Sequence, residues 1–199
     1  MRKLVLLGIT LMLTAITFAQ GYKIGDVATD FNLKNIDGKM VKMADDKAAK
    51  GFVVIFTCNH CPYAVAYEDR IVALDKKFRS MGYPVIAINP NDAAAYPADS
   101  FEAMQKRAKE KGFTFPYLVD ETQQVAKAYG ATKTPHVYLL QKNNNKLVVK
   151  YIGTIDDNYQ DADEVKEPYL ANAIESLLAG ETIPTVETKA VGCSIKWKK

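Results

Sequence analysis

Cysteine is scarce in this 199-residue chain, at three residues: Cys58, Cys61 and Cys193. An exported disulfide scaffold holds a larger, even set at wide spacing, so crosslinking is the weakest use for them. Charge of one sign is also missing. The formal net charge is +3, and without Arg2 and Lys3 the count is 24 basic against 23 acidic side chains. That balance leaves no electrostatic footprint for nucleic acid or anionic lipid. No internal repeat and no linker marks a second unit. The length therefore suits one domain with a real core, read here as residues 20–183 followed by a tail at 184–199.

What is present begins at the N-terminus, "MRKLVLLGITLMLTAITFAQG". Two cations precede an apolar run from Leu4 to about Phe18, and Thr17 and Ala19 frame a cleavage site. This pattern reads as a signal peptide over residues 1–19. The run is short for a span of ~20 residues, and no stop-transfer cluster follows it. The expectation is export to a bacterial periplasm or beyond, with no stable membrane anchor.

Past the signal, "DFNLKNIDGKMVKM" alternates around Asp37-Gly38, a hairpin signal. Phe52 to Phe56 is a continuous apolar run, as in a strand buried on both faces. Tyr67, Ile71, Leu74 and Phe78 recur at helical spacing, which predicts a helix from about Cys61 to Ser80. "YPVIAIN" and "FPYLVD" predict further strands, with Pro97 and Asp99 opening a charged helix that runs on through Phe101 to Lys111. Glu121 to Tyr129 reads as a short helix stopped by Gly130. "HVYLLQ" and "KLVVKYIG" flank the turn "KNNNK", and a final helix is predicted from Val165 to Ala179. Strands alternating with helices predict an α/β chain with a mostly parallel sheet, made mixed by the late hairpin.

The chemistry concentrates in "VVIFTCNHCPYA". Cys58 is placed at or just before a helix N-terminus, where unpaired N–H groups and the helix dipole favour a thiolate. Cys61 is placed about one turn in, able to close a small disulfide. His60 between them favours the thiolate when protonated, and Pro62 has no N–H to lose in a first turn. A Cys-x-x-Cys pair on a strand-to-helix junction is a strong redox signal. Further on, Thr134-Pro135 stands immediately before a strand. By itself it reads as an ordinary trans proline opening that strand.

The pairing of Cys-x-x-Cys with Thr-Pro resembles the thioredoxin-like superfamily, over about Ile24 to Gly180. The strings "CNHCPYA", "NPNDAAAYPADSFEAM", "FPYLVDETQQVAKAYGATKTP", "YIGTIDDN" and "GCSIKWK" are similar to bacterial redoxins related to alkyl hydroperoxide reductase and thiol-specific antioxidant proteins. The resemblance implies a thioredoxin-like fold: a mixed central sheet flanked by helices on both faces, an N-terminal hairpin, and a redoxin-type insertion of a helix and a strand between Asn89 and Phe115. It also implies Cys58 as nucleophile, Cys61 as resolving thiol, His60 beside them and Pro135 as a facing cis proline. Thr57, Asn59, Pro62, Thr134 and His136 are read as residues that meet the partner. The partners expected are protein dithiols or disulfides and a redox partner protein, with a monomeric chain and no cofactor.

Some features depart from that pattern. Thr57 stands where thioredoxin has Trp, and residues 52–56 hold no acid to relay a proton. Lys133 and His136 beside the Thr-Pro are unlike the nearest relatives. A peroxidase of this group needs Thr three residues before its reactive cysteine. Here Ile55 precedes Cys58 at that distance and Cys58 itself precedes Cys61. Besides thiol–disulfide exchange, the pair leaves open a peroxidase and a Cu(I)-handling protein that uses Cys58, Cys61 and His60 or His136. Zinc lacks a second ligand pair.

Other groups have simpler readings. Tyr63 and Tyr67 pack or form a rim, "DETQ" opens a helix, and "IDDNYQDADE" lacks Ca2+ ligand spacing and reads as a solvated loop. Cys193 lies beyond the final helix, too far along the chain to suggest the ~7 Å Cα approach of a disulfide. It is expected to be a passive thiol in a tail buried through Ile195 and Trp197. A third redox thiol is the alternative.

Overall fold

Residues 21–199 are described by a computed structural model, so the signal-peptide reading lies outside the described residues. In chain order the strands and helices are β1 (Val27–Ala28), β2 (Leu33–Asn35), β3 (Met40–Val41), β4 (Gly51–Phe56), α1 (Pro62–Phe78), β5 (Val85–Asn89), α2 (Phe101–Lys111), β6 (Tyr117–Val119) and α3 (Gln124–Tyr129). They continue with β7 (Lys133–Thr134), β8 (His136–Asn143), β9 (Lys146–Gly153), α4 (Tyr169–Ala179) and β10 (Cys193–Ser194). Eight strands form one sheet in the order β1-β9-β8-β4-β5-β6-β2-β3, and β10 pairs with β7 apart from it.

The sheet is mixed, but it is not mostly parallel. Only β4 with β5 and β5 with β6 run parallel; β8 and β9 on one side and β2 and β3 on the other are antiparallel. The parallel centre is where two crossover helices connect successive strands. The hairpin at Asp37-Gly38 forms as the alternation predicts, with Gly38 at φ 85°.

β4 explains the two-sided core. Its six residues are all buried. Val53 and Ile55 face a cluster with Tyr67 and Ile71 of α1, Met104 of α2 and Ile174 of α4. Phe52, Val54 and Phe56 face the other way, against Tyr129 of α3, Tyr138 and Ile195. An interior strand between two such layers has no room for a charge, which is why residues 52–56 carry none.

Several element ends differ from the periodic reading for local reasons. α1 begins at Pro62 and α4 at Tyr169, just after Pro168. Proline fixes φ and lacks a donor, so each marks the edge of a helix. Pro97 and Asp99 do not open α2. They form a separate 3-10 turn, and Ser100 caps the helix by accepting a hydrogen bond from the Ala103 N–H at 3.2 Å. The segment between Asn89 and Phe115 thus contributes that turn and α2, with no strand inside it. α3 ends at Gly130, whose φ of 75° closes it in the left-handed conformation. A Cβ at Gly130 would also lie 2.5 Å from the Gly21 Cα, so the segment before β1 packs there only on glycine.

After α4 the chain crosses back over the molecule. Ile195 is buried in the second core layer, with its N–H donating to Thr132 O. Trp197 does not share that burial; it is 40% exposed, with Lys127 Nζ 5.7 Å from its ring centre.

Candidate active site

β4 ends at Phe56, and the Thr57 N–H still pairs with Ile88 O of β5 at 2.9 Å. The chain then leaves the sheet through Cys58, Asn59 and His60 and enters α1. Cys61 is the N-cap of α1, at φ −71° and ψ 124°, and Pro62 is its first residue. The N-terminal field of α1 therefore acts first on Cys61, a turn later than the sequence reading placed it.

Both sulfurs are buried, Cys58 at 3% and Cys61 at 0% exposure. The Thr134–Pro135 bond is cis, and Thr134 faces the pair with two groups. Its Oγ1 lies 3.2 Å from Cys58 Sγ, and its carbonyl lies 3.1 Å from Cys61 Sγ. The Cys193 N–H donates to Cys61 Sγ at 3.3 Å.

The two thiols share a proton, which sets their ionisation. The hydrogen bond with Cys58 holds Cys61 down to about 4, against the opposing effect of burial and with help from Cys193. The same hydrogen bond, then burial, then the charge of Asp99, push Cys58 well above the ordinary thiol range. The pair gives up one proton easily and keeps the second. In this arrangement the charge rests on Cys61, held there first by the hydrogen bond with Cys58 and then by Cys193 and the backbone N–H groups of Ala64 and Cys193.

A carboxylate that sequence reasoning did not assign to the site stands on the other side of Cys58. Asp99 is buried, and it accepts hydrogen bonds from the Asn59 N–H (2.7 Å), Asn91 Nδ2 (2.7 Å) and His60 Nδ1 (2.6 Å). A carboxylate can only accept, so Nδ1 is the protonated nitrogen of His60. The His60 side chain is 28% exposed and stacks on Tyr96 with ring centres 5.5 Å apart. Asn59 is held in turn by Tyr117 Oη, which donates to its Oδ1 at 2.9 Å, and by Ala98 O, which accepts from its Nδ2 at 2.9 Å. Asp99 thus supplies the acid that β4 lacks. Nothing in the sequence near Cys58 points to it, since it comes from 41 residues downstream and looks there like a helix start.

The other sequence-derived residues divide. Thr57, Asn59 and Pro62 adjoin the cysteines along the chain, and Thr134 meets them across space. His136 does not. It is buried on β8, its Nδ1 accepts the Thr132 N–H at 3.3 Å, and it lines a groove with Gly21, Tyr129 and Lys189. Burial pushes its pKa down from 6.5 to about 4. The donor atoms within 4.8 Å of one another are those of Cys58, His60 and Asp99. That set joins one soft sulfur to a hard carboxylate. It differs from the two-sulfur set expected for Cu(I), and His136 lies outside it.

The AhpC/TSA family model matches residues 24–155. The chain belongs to the AhpC/TSA family. Among curated relatives, the thiol-disulfide oxidoreductase ResA of Geobacillus thermodenitrificans is 25% identical over 164 residues, 80% of this chain and 88% of that one. Two solved structures are more similar in sequence. An uncharacterized conserved protein of Geobacillus kaustophilus is 40% identical, with a TM-score of 0.81, covering 88% of this chain and 93% of its own. A hypothetical protein of Sinorhizobium meliloti 1021 is 32% identical, with a TM-score of 0.82, covering 89% and 96%. The matched span of this AhpC/TSA chain holds Cys58, Cys61, Asp99 and Thr134, and stops short of Cys193.

Proposed function

We propose that the chain is an exported thiol–disulfide oxidoreductase in which Cys58 attacks and Cys61 resolves. The observation that carries this reading is the pair itself: two buried thiols sharing one proton against the Thr134 carbonyl and hydroxyl. The name and coverage of the ResA relative support the reaction class. Export rests on the signal-peptide reading of residues 1–19.

In the reduced protein, Cys61 thiolate takes the Cys58 proton as Cys58 Sγ attacks a partner disulfide. The Cys58–partner bond forms, the partner's S–S bond breaks, and its leaving thiolate takes the proton from Cys61. Cys61 thiolate then attacks Cys58 Sγ, closing the Cys58–Cys61 disulfide and releasing the second partner thiolate, which is protonated from solvent. Two electrons pass to the partner. His60, hydrogen-bonded to Asp99 and partly open to water, is placed to move protons at the Cys58 side. Pro62, exposed, and Asn59 and His60, partly exposed, form the surface beside the pair that a protein partner meets, while Thr57 and Thr134 lie buried behind it.

Ile55 is fully buried at the position where a peroxidase of this family carries Thr, so peroxide turnover is expected to be slow. The test of the main reading is turnover of insulin disulfides with dithiothreitol as reductant. The wild type should turn over, and Cys58→Ser and Cys61→Ser should fall to background. Retained turnover in Cys58→Ser would remove Cys58 from its role.

A further inference from the structure

Cys193 was expected to sit apart from the pair, and the structure places it in contact with it. β10 pairs with β7 so that Cys193 lies opposite Thr134, the residue that already faces both sulfurs. The Cys193 N–H donates to Cys61 Sγ at 3.3 Å, and the two thiols are hydrogen-bonded to each other. Cys193 packs, half-buried, against the cluster of Cys58, Cys61 and Ala64. No other thiol competes for that position.

The tail is built to hold it there. Residues Ile195 and Lys196 are tied by backbone hydrogen bonds: the Ile195 N–H to Thr132 O, the Lys196 N–H to Asn91 Oδ1, and Lys196 O from the Asp92 N–H. Gln123, buried, donates its Nε2 to Lys196 O and accepts the Lys198 N–H. On the other side Gly192 allows the approach, since a Cβ there would lie 2.3 Å from Thr134 O. Asn91 also donates to Asp99, so the segment that holds the tail is the one that holds the Cys58 side of the site. A tail that only covered the core would need Ile195, but not a thiol in register with Thr134 and in contact with Cys61.

We propose that Cys193 is a third redox thiol, exchanging with Cys58 as the disulfide partner of Cys61. This rests on the Cys58–Cys61 couple proposed above. Starting from the Cys58–Cys61 disulfide, Cys193 thiolate attacks Cys61 Sγ. The Cys61–Cys193 bond forms and the Cys58–Cys61 bond breaks. Cys58 leaves as a thiolate and takes up the proton that Cys193 gave up. No electrons enter or leave; the disulfide moves from one neighbour of Cys61 to the other. The consequence is an oxidised protein in which Cys58 is free again beside His60, able to attack a second disulfide while the first oxidising equivalent is stored at the tail.

The test is disulfide mapping of the full mature chain after treatment with one equivalent of diamide, followed by acid quench, alkylation and peptide mass analysis. Cys58→Ser and Cys58→Ala are used together, with near-ultraviolet circular dichroism confirming a native fold for whichever is read. Most molecules of the variant should carry one intramolecular Cys61–Cys193 link. In oxidised wild type, iodoacetamide should label a fraction of Cys58, and Cys193→Ala should abolish that labelling. A folded Cys58 variant in which Cys61 and Cys193 stay free, or link only between chains, overturns the proposal while wild type still forms Cys58–Cys61. If wild type forms no Cys58–Cys61 link either, the oxidoreductase reading falls, and this proposal with it.

Discussion

The two sulfurs of the pair are three residues apart, yet different parts of the chain serve them. The Cys58 flank is gathered around one side chain, with Asp99 accepting from the Asn59 N–H, His60 Nδ1 and Asn91 Nδ2. The Cys61 flank is largely backbone: the start of α1 and the Cys193 N–H, which donates to the sulfur, with the Thr134 carbonyl accepting from Cys61 when that thiol is protonated. Backbone donors hold a charge in a fixed place without titrating, which suits the sulfur that stores the anion. A histidine on a buried carboxylate can take and release protons, which suits the sulfur proposed to attack.

The largest effect should come from the Cys58 flank. Asp99→Asn leaves an amide, with only one acceptor atom, facing three donors. Insulin reduction should fall by about 10²-fold if His60 and Asp99 handle the proton, with a stability loss of about 1–3 kcal/mol from the unmet bonds. Turnover measured across pH separates the two, because a purely structural loss leaves the shape of the profile unchanged. A profile matching wild type would leave the Cys58 flank without a chemical role.

A residue outside both flanks gives the next effect. His136 is neutral in the fold, with its pKa pushed down from 6.5 to about 4 and its Nδ1 accepting from Thr132. Between those values the unfolded chain binds a proton that the folded chain does not, so stability should fall as pH drops through that window, by about 3 kcal/mol. Urea unfolding at pH 7 and pH 4 should show this loss in wild type and a much smaller one in His136→Gln. The same loss in both would place the acid sensitivity elsewhere.

The tail offers the two smaller effects. Ile195→Ala should cost about 2 kcal/mol, because it empties a buried place in the second core layer, and it should loosen Cys193 from Cys61. Trp197→Ala should stay within about 0.5 kcal/mol, as expected of an exposed side chain. Equal losses from the two, read by urea unfolding, would mean the tail is held differently.

Legibility followed how local each cause was. The continuous apolar run of β4, the Asp37-Gly38 turn and the stop at Gly130 were readable because each depends on adjacent residues. The Cys-x-x-Cys and Thr-Pro motifs were readable for the same reason. The start of α4 slipped because apolar periodicity continued across Pro168 and the proline set the boundary, whereas α1 begins at Pro62, one residue from the expected Cys61. Cys58 lies three residues before the N-cap of α1, so the helix field acts first on Cys61. Asp99 and Cys193 were not readable as site residues: they reach the pair from 41 and 132 residues beyond Cys58 and Cys61 respectively, through folding of the 3-10 turn and the β7–β10 pairing. His136 follows the cis proline in sequence, but it lines a groove with Gly21, Tyr129 and Lys189 while Thr134 of β7 meets the cysteines.

The division of labour within the pair is tested most directly by trapping. Cys61→Ser, reduced and mixed with a disulfide-containing protein such as insulin, has lost the thiol that resolves. Intact mass followed by peptide mapping should find one partner chain bound through Cys58, stable until dithiothreitol is added, and no such adduct in Cys58→Ser. A partner attached to Cys193, or an adduct that survives removal of Cys58, would contradict the account.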